Sequence, residues 1–153
     1  MITIKKQEIV KLEDVLHLYQ AVGWTNYTHQ TEMLEQALSH SLVIYLALDG
    51  DAVVGLIRLV GDGFSSVFVQ DLIVLSSYQR QGIGSSLMKQ ALGNFKEAYQ
   101  VQLATEQTEK NVGFNRSMGF EILSTYNWIG MTWMNRKPKS FIPLSTRCNL
   151  QNP

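Results

Sequence analysis

The most informative stretch of the sequence is YQRQGIGSS, residues 78–86, because it joins a run of strand-forming residues to an amphipathic helix. The β run before it, residues 67–74, is apolar on both faces in its second half, which is typical of a central strand. The helix after it is predicted from Gly82 to about Phe95, with an apolar stripe along one face. Small residues at 82 and 84–86 leave the first helical turn open, and Arg80 adds positive charge nearby. Unpaired N–H groups at such a helix start bind anions, and a pyrophosphate fits this place.

The elements on either side predict a mixed α/β layer fold. Upstream, residues 2–4 predict a short strand, 11–22 and 30–39 predict helices joined by a loop over 24–28, and 42–48 and 52–60 predict a hairpin. Downstream, the sequence predicts a strand over 101–105, a polar helix over 107–117 and a closing pair of strands over 120–135. Residues 136–153 lose periodicity and are interpreted as an extended or mobile tail.

Composition narrows the class of protein. The chain has 153 residues, is 45% hydrophobic and balances 13 basic against 13 acidic residues, which indicates one folded domain and argues against nucleic acid as a partner. Its single cysteine, Cys148, allows no internal disulfide and no metal site with several cysteines, and the three histidines lack metal-ligand spacing, so no metal is expected. The N-terminal residues lack the apolar core of a secretion signal, and the longest apolar run, 42–48, is too short to span a membrane. We therefore expect a cytoplasmic protein that does not enter the membrane.

Three phosphate-binding patterns compete for the glycine-rich stretch. A P-loop needs a lysine directly after the second glycine, but none precedes Lys89. A dinucleotide-binding fold needs a third glycine where Leu87 stands. The pattern Gln/Arg-x-x-Gly-x-Gly/Ala is satisfied by Gln79, Gly82 and Gly84. A structural alternative is that these glycines only permit close packing of strand and helix.

This hexapeptide resembles the acetyl-coenzyme A pyrophosphate loop of the GNAT N-acetyltransferase superfamily. Three further segments match in order. Val22–Tyr27 resembles a substrate-side segment of a small bacterial and plastid-type subgroup, Gln70–Val74 leads into the loop as in that subgroup, and Phe114–Phe120 is similar to the family ending Phe-Tyr-x-x-x-Gly-Phe. The resemblance implies a GNAT-like, mostly antiparallel central sheet with helices on both faces and splayed fourth and fifth strands. It also implies an acetyltransferase domain over 1–135, followed by the tail.

The resemblance implies roles for individual residues. Acetyl-coenzyme A is the expected co-substrate, with its pyrophosphate held by main-chain N–H groups of the loop and its pantetheine arm paired with the fourth strand. The expected binding residues are Leu72, Ile73, Val74, Gln79, Arg80, Gln81, Gly82, Ile83, Gly84 and Ser85. The implied reaction is direct transfer of the acetyl group to a primary amine of a small molecule or a peptide. A coenzyme A-binding regulatory or interaction module without turnover is the alternative.

The sequence departs from the family at the positions of proton transfer. A frequent general acid of the family is a tyrosine where this chain has Asn115, and frequent positions of the base on the fourth strand match Phe68 and Gln70. An amide is no proton donor near neutral pH. Asp71 is one residue out of phase on a regular strand, unless a bulge brings it round, and Gln70 alternatively orders a water. Gln70, Asp71 and Asn115 are the catalytic candidates, and the acid and the base stay open.

For each of three further groups of residues, two interpretations are open. Trp24 and Tyr27 either line an acceptor pocket or close the core beneath their loop. Glu106 and Glu109 either contact a cationic acceptor or are the solvated start of a helix. A late apolar group is interpreted as core or as a subunit contact, which leaves a homodimer open; it comprises Trp128, Met131, Trp133 and Met134.

Overall fold

The computed structural model describes residues 1–132, which form one five-stranded sheet with helices on both faces. The strands are β1 (Ile2–Gln7), β2 (Val43–Asp49), β3 (Ala52–Gly61), β4 (Ser66–Val74) and β5 (Gln100–Leu103). The helices are α1 (Leu12–Ala21), α2 (Thr25–Thr28), α3 (Thr31–Ser39), α4 (Ile83–Leu92) and α5 (Glu109–Ser117). The strands lie in chain order, antiparallel from β1 to β4 and parallel between β4 and β5. The predicted mixed, mostly antiparallel architecture is confirmed.

Two apolar cores hold the helices to opposite faces of the sheet. On one face, Leu18 of α1 and Leu34 of α3 are fully buried with Leu56 of β3. On the other face, Leu87 and Met88 of α4 pack into a cluster with Val69 of β4. Each fully buried side chain of this size contributes about 1.5–3 kcal/mol relative to exposure. The predicted apolar stripe of α4 is therefore confirmed as the contact with the sheet.

A β-bulge at Gln70 changes which way β4 presents its side chains. Arg58 pairs with Asp71 while the next residue of β3, Leu59, pairs with Val69, so Gln70 is the extra residue of β4. Val67 and Val69 before the bulge share the α4 core with Val74 after it, whereas Ile73 lies in the α1 core. Because side chains alternate along a strand, the bulge turns Asp71 to the side of α1 and α2.

Strands β4 and β5 separate after a short contact. They pair only from Ser66 with Gln100 to Val69 with Leu103. Residues 70–74 of β4 continue along β3 without β5 beside them. The predicted splay of the fourth and fifth strands is confirmed, and it leaves an edge of β4 open in the middle of the sheet.

Two predicted local structures are wrong within the described residues. The predicted closing strands over 120–135 are absent from 120–132, where Leu123–Tyr126 forms a 3₁₀ turn. Asn127 then takes a left-handed backbone conformation with φ +59°, which breaks an extended run, and no neighbouring strand pairs with the segment. Trp128 and Met131 are exposed rather than core. The predicted loop over 24–28 instead contains α2, a single helical turn.

The remaining expectations for the end of the chain lie outside the described residues. These are the strand over 133–135, the tail over 136–153, and the roles of Trp133, Met134 and Cys148. Within residues 1–132, no helix combines the length and the apolar content needed to cross a bilayer.

Candidate functional site

A cavity of about 300 Å³ lies where β4 and β5 separate. Its walls come from α2, β4, α4, the segment after β5, and α5. Seven residues that the sequence singled out for catalysis, substrate or cofactor lie together here: Trp24, Tyr27, Gln70, Asp71, Leu72, Glu106 and Asn115. Segments separated by up to about ninety positions in the chain are thus brought to one opening by the splay.

A buried ion pair fixes one side of this cavity. Asp71 is 2% exposed, and its Oδ2 accepts a hydrogen bond from Nε of Arg58 at 2.6 Å. The hydroxyls of Tyr19 and Tyr27 donate to the same carboxylate at 2.9 and 3.1 Å. Both carboxylate oxygens are therefore engaged by the protein. The bulge at Gln70 turns the Asp71 side chain toward these donors. Because three donors already bind its carboxylate, Asp71 is poorly placed to accept a proton from a substrate.

Tyr27 connects the ion pair to the open side of the cavity. Its hydroxyl accepts hydrogen bonds from Nε2 of Gln70 at 3.2 Å and from Nη2 of Arg58 at 3.3 Å while it donates to Asp71. Burial, followed by the nearby Asp71 charge, raises the pKa of Tyr27, so the phenol stays protonated at neutral pH. The Gln70 amide nitrogen is thereby anchored, and its oxygen is left to order a water or an amine. We call Tyr27, Gln70 and Asp71 the β4 wall, together with Arg58 and Tyr19, which lie behind them and do not line the cavity.

Trp24 and Tyr27 of the early segment take part in the core and also border the cavity. Tyr19, Trp24 and Tyr27 form a cluster with ring centroids 5.1–6.1 Å apart, in the α1 core. Trp24 and Tyr27 also line the cavity. The single helical turn of α2, which follows Trp24, places Trp24 and Tyr27 side by side over the α1 core, so both side chains reach the core and the cavity.

The open edge of β4 presents main-chain groups to the gap. The N–H of Leu75 donates to the carbonyl of Val54 at 2.9 Å, and bonded residues alternate in an antiparallel pair. Ile73 therefore faces β3, while Leu72 and Val74 direct their main-chain groups toward the gap that β5 leaves. Nε2 of Gln79 donates to the Val74 carbonyl at 3.0 Å, which ties the glycine-rich loop to this edge. The side chains of Ile73 and Val74 are buried, so Val74 offers only its main chain to the gap, and Ile73 offers neither side chain nor main chain.

The glycine-rich loop enters α4 through two left-handed residues, Arg80 with φ +60° and Gly82 with φ +79°. Gly82 is the residue before the helix, and no side chain caps it. Within residues 1–132, no group accepts a hydrogen bond from the N–H of Ile83, Gly84 or Ser85. A Cβ at Gly82 would meet no atom within 4 Å. These donors, with the positive end of the α4 dipole and the exposed Arg80, face open space and suit an anion.

The opposite side of the cavity is built by α5 and the segment that leads into it. Asn115 donates from Nδ2 to the main-chain carbonyl of Asn111 at 2.9 Å. Asn111 is 6% exposed, and its side-chain amide has no hydrogen-bond partner within residues 1–132. The half-buried Glu106 also lines the cavity, and its carboxylate has no partner among the same residues. We call Glu106, Asn111 and Asn115 the α5 wall.

Several of these residues escaped the sequence analysis. Asn111 lies one helical turn before Asn115, so its position on the same face was a usable signal. Arg58 was a second signal, since an arginine in an apolar β run requires a buried partner. Nothing in the sequence linked Tyr19 to Asp71 across 52 positions. Within residues 1–132, no three His, Cys, Asp or Glu side chains group in a way that suits a metal ion.

Comparison with known proteins gives this geometry a context. The sequence profile of the family described as "Acetyltransferase (GNAT) domain" matches residues 6–135. The chain is similar to serotonin N-acetyltransferase 2, chloroplastic, from Oryza sativa subsp. japonica, with 30% identity over 95 residues, which cover 60% of this chain and 48% of that protein. The chain thus spans about half the length of this curated relative.

Solved structures show the same fold. A GNAT family acetyltransferase from Streptococcus pneumoniae TIGR4 is 89% identical, with a TM-score of 0.83 over 90% of this chain and 100% of that one. A GNAT family acetyltransferase from Elizabethkingia anophelis, solved with acetyl-CoA bound, is 20% identical, with a TM-score of 0.59 over 88% of this chain and 89% of that one.

Proposed function

This chain belongs to the GNAT family of acetyltransferases, and we propose that it transfers the acetyl group of acetyl-coenzyme A to a primary amine in the cavity between β4 and β5. The single observation that carries the proposal is the row of unpaired N–H groups at Ile83, Gly84 and Ser85, which begins beside the open edge of β4. A diphosphate at the helix start and an extended arm along the strand edge match these two features in order. The acetyl-CoA complex of the Elizabethkingia relative supports this choice of co-substrate.

The main chain does most of the binding in this proposal. The diphosphate accepts hydrogen bonds from the N–H groups at the start of α4, with Arg80 as an additional positive charge. The amide groups of the pantetheine arm pair with the main chain of Leu72 and Val74, as an added strand would. The side chains of Gln79 and Gln81 position the loop, since they donate to the carbonyls of Val74 and Ser77.

The chemistry is a direct acyl transfer in a ternary complex. The neutral amine nitrogen attacks the thioester carbonyl carbon, and the oxygen gains negative charge that a β4 main-chain N–H stabilises. The C–S bond then breaks, the amide forms, and the thiolate of coenzyme A leaves. The nitrogen loses one proton to water ordered by the Gln70 amide oxygen. Holding both reactants together lowers the barrier by about 7–11 kcal/mol, which allows turnover without a strong acid at Asn115.

Release of free thiol from acetyl-coenzyme A in the presence of a primary-amine panel tests the reaction. We expect amine-dependent thiol release and an acetylated product of the corresponding mass. The alternative function, a coenzyme A-binding module without turnover, rests on Asn115 and on the engagement of Asp71 by Arg58. It predicts thermal stabilisation by coenzyme A without amine-dependent thiol release from any member of the panel.

Substitution of Gly82 tests the diphosphate site separately from catalysis. We expect Gly82→Ala to weaken coenzyme A binding at least tenfold, about 1.4 kcal/mol, because the added methyl group occupies the open space at the start of α4. Titration calorimetry measures the affinity directly.

Gly50 provides the matched control for this experiment. It also has a positive φ, +60°, and a Cβ there would meet no atom within 4 Å, but it lies in the turn between β2 and β3. Gly50→Ala imposes a similar backbone strain, so a loss of stability common to both variants is not a loss of binding. Equal coenzyme A affinities in the two variants would place the diphosphate elsewhere.

Two observations bear on the chemical class of the acceptor. The name of the rice relative makes an arylalkylamine one candidate, and the aromatic side chains of Trp24, Tyr27, Phe68 and Phe114 along the cavity favour such a ligand. A peptide amine is the other candidate from the sequence. A homodimer and a cytoplasmic location stay predictions.

A further inference from the structure

The two acidic residues that line the cavity differ in whether a cation compensates their charge. Two acidic residues line it, Asp71 and Glu106, and no Lys, Arg or His of residues 1–132 does. The charge of Asp71 is compensated by Arg58 at 2.6 Å. Glu106 has no ion pair and no hydrogen bond to its carboxylate in the same part of the chain. The cavity therefore carries one uncompensated negative charge, and it lies on the α5 wall.

A second observation on the same wall indicates a polar ligand. The Asn111 side chain is more than nine-tenths buried, lines the cavity and has no hydrogen-bond partner among residues 1–132. Buried side-chain amides almost always have a partner, because leaving one unpaired costs about 1–3 kcal/mol. Since the protein supplies none there, the partner enters through the cavity. A free carboxylate and a free amide thus mark the α5 wall as the side that recognises the acceptor.

We propose that Glu106 selects the acceptor by charge, so that the substrates are small amines without a carboxylate. This inference rests on the proposed function, since it concerns the acceptor of the same cavity. A primary amine is an ammonium ion at neutral pH when it arrives. Glu106 pairs with that ammonium on arrival, or with a second one on the same molecule, and Asn111 accepts one of its N–H groups. The reacting nitrogen gives its first proton to bulk water before it attacks, and it loses the second during acyl transfer. An amino acid brings a carboxylate that Glu106 repels and that no cationic side chain of the described cavity receives.

Two matched substrate pairs test this selection. In each pair the reacting amine is retained and only a carboxylate is added or exchanged: 1,4-diaminobutane against 4-aminobutanoate, and phenethylamine against phenylalanine. For the wild-type protein we expect kcat/KM to be at least tenfold higher for the carboxylate-free member in at least one pair. Equal or better use of the carboxylate-bearing member in both pairs would overturn the proposal.

Variants of Glu106 assign the effect to this side chain. Glu106→Gln should reduce the preference at least fivefold, mainly through KM, and Glu106→Lys should shift it further toward the carboxylate-bearing member. Affinity for coenzyme A should be unchanged in both. Glu109→Gln is the control, because Glu109 is an exposed acid three residues further along that does not line the cavity. An unchanged preference in both Glu106 variants, or an equal loss in Glu109→Gln, would remove the role of Glu106.

A binding measurement separates this inference from the proposed reaction. The same four compounds are titrated into protein saturated with coenzyme A. Glu106-dependent binding of the carboxylate-free amines without any acetyl transfer would support charge selection and contradict the acetyltransferase proposal. Acetyl transfer without a Glu106-dependent preference would support the acetyltransferase proposal and contradict charge selection. If the protein shows no binding preference and no acetyl transfer, both proposals are wrong.

Discussion

The two walls of the cavity differ in whether their buried polar side chains are hydrogen-bonded within the protein. On the β4 wall, the Asp71 carboxylate accepts from Arg58, Tyr19 and Tyr27, and the Tyr27 hydroxyl accepts from Gln70 in turn. On the α5 wall, the Glu106 carboxylate and the Asn111 amide have no partner among residues 1–132. A paired buried group holds the protein in shape, whereas an unpaired one is available to a ligand. The difference indicates that the buried ion pair of the β4 wall is a scaffold, which holds Gln70 and Tyr27 in place, while the α5 wall recognises the charge of the substrate.

The largest effect should come from breaking the β4 wall. We expect Asp71→Asn to destabilise the protein by about 3–5 kcal/mol, because the buried Arg58 guanidinium loses its counter-charge. Chemical denaturation measures the free energy of unfolding. Asp51→Asn, in the exposed turn between β2 and β3, is the control and should have little effect.

A double substitution sharpens the same test. Replacing both partners, Arg58→Met with Asp71→Leu, should recover much of the stability lost in Asp71→Asn, because no uncompensated charge then remains buried. If the single variant is as stable as the wild type and acetyl transfer alone is lost, Asp71 is a proton acceptor, and the assignment of the β4 wall as scaffold fails.

The contrast also shows what the sequence could predict and what it could not. The strand–loop–helix from β4 through Tyr78–Ser86 into α4 was predictable, because its helix stripe and its glycines are local patterns. The splay followed from the family resemblance rather than from periodicity. The bulge that turns Asp71 was one of the alternatives that the sequence left open, and Arg58 signalled a buried partner. The complete Asp71 network was not predictable, because it also depends on tyrosines 44 and 52 positions away. The closing strands failed because apolar content alone does not supply a partner strand.

A smaller effect is expected on the α5 wall, and its sign should differ between stability and activity. Asn111→Leu replaces an unpaired buried amide by an apolar group of similar shape, so stability should stay the same or rise slightly. The kcat/KM for the best amine of the panel should fall about three- to tenfold, which corresponds to one lost hydrogen bond of about 0.5–1.5 kcal/mol. Thermal unfolding and steady-state kinetics measure the two effects.

A conservative variant controls for shape at this position. Asn111→Gln keeps an amide on the same wall and should retain more activity than Asn111→Leu. A fall in melting temperature for Asn111→Leu, with activity retained, would mean that the amide stabilises the fold, and the two walls would then not differ in kind.

The smallest effect concerns the response of the β4 wall to alkaline pH. Burial, with the nearby Asp71 charge, raises the pKa of both Tyr19 and Tyr27 above the ordinary value of about 10. In the unfolded chain these phenols lose their protons above about pH 10, while in the folded protein they keep them. The unfolded state then binds fewer protons, so this contribution to stability is complete below pH 10 and is lost as pH rises above it. Tyr19→Phe with Tyr27→Phe should therefore lower stability at pH 7 but show a shallower decline between pH 9.5 and 11 than the wild type. Parallel slopes in the two proteins would mean that the phenols are not held by the buried carboxylate, and the contrast with the α5 wall would lose its electrostatic basis.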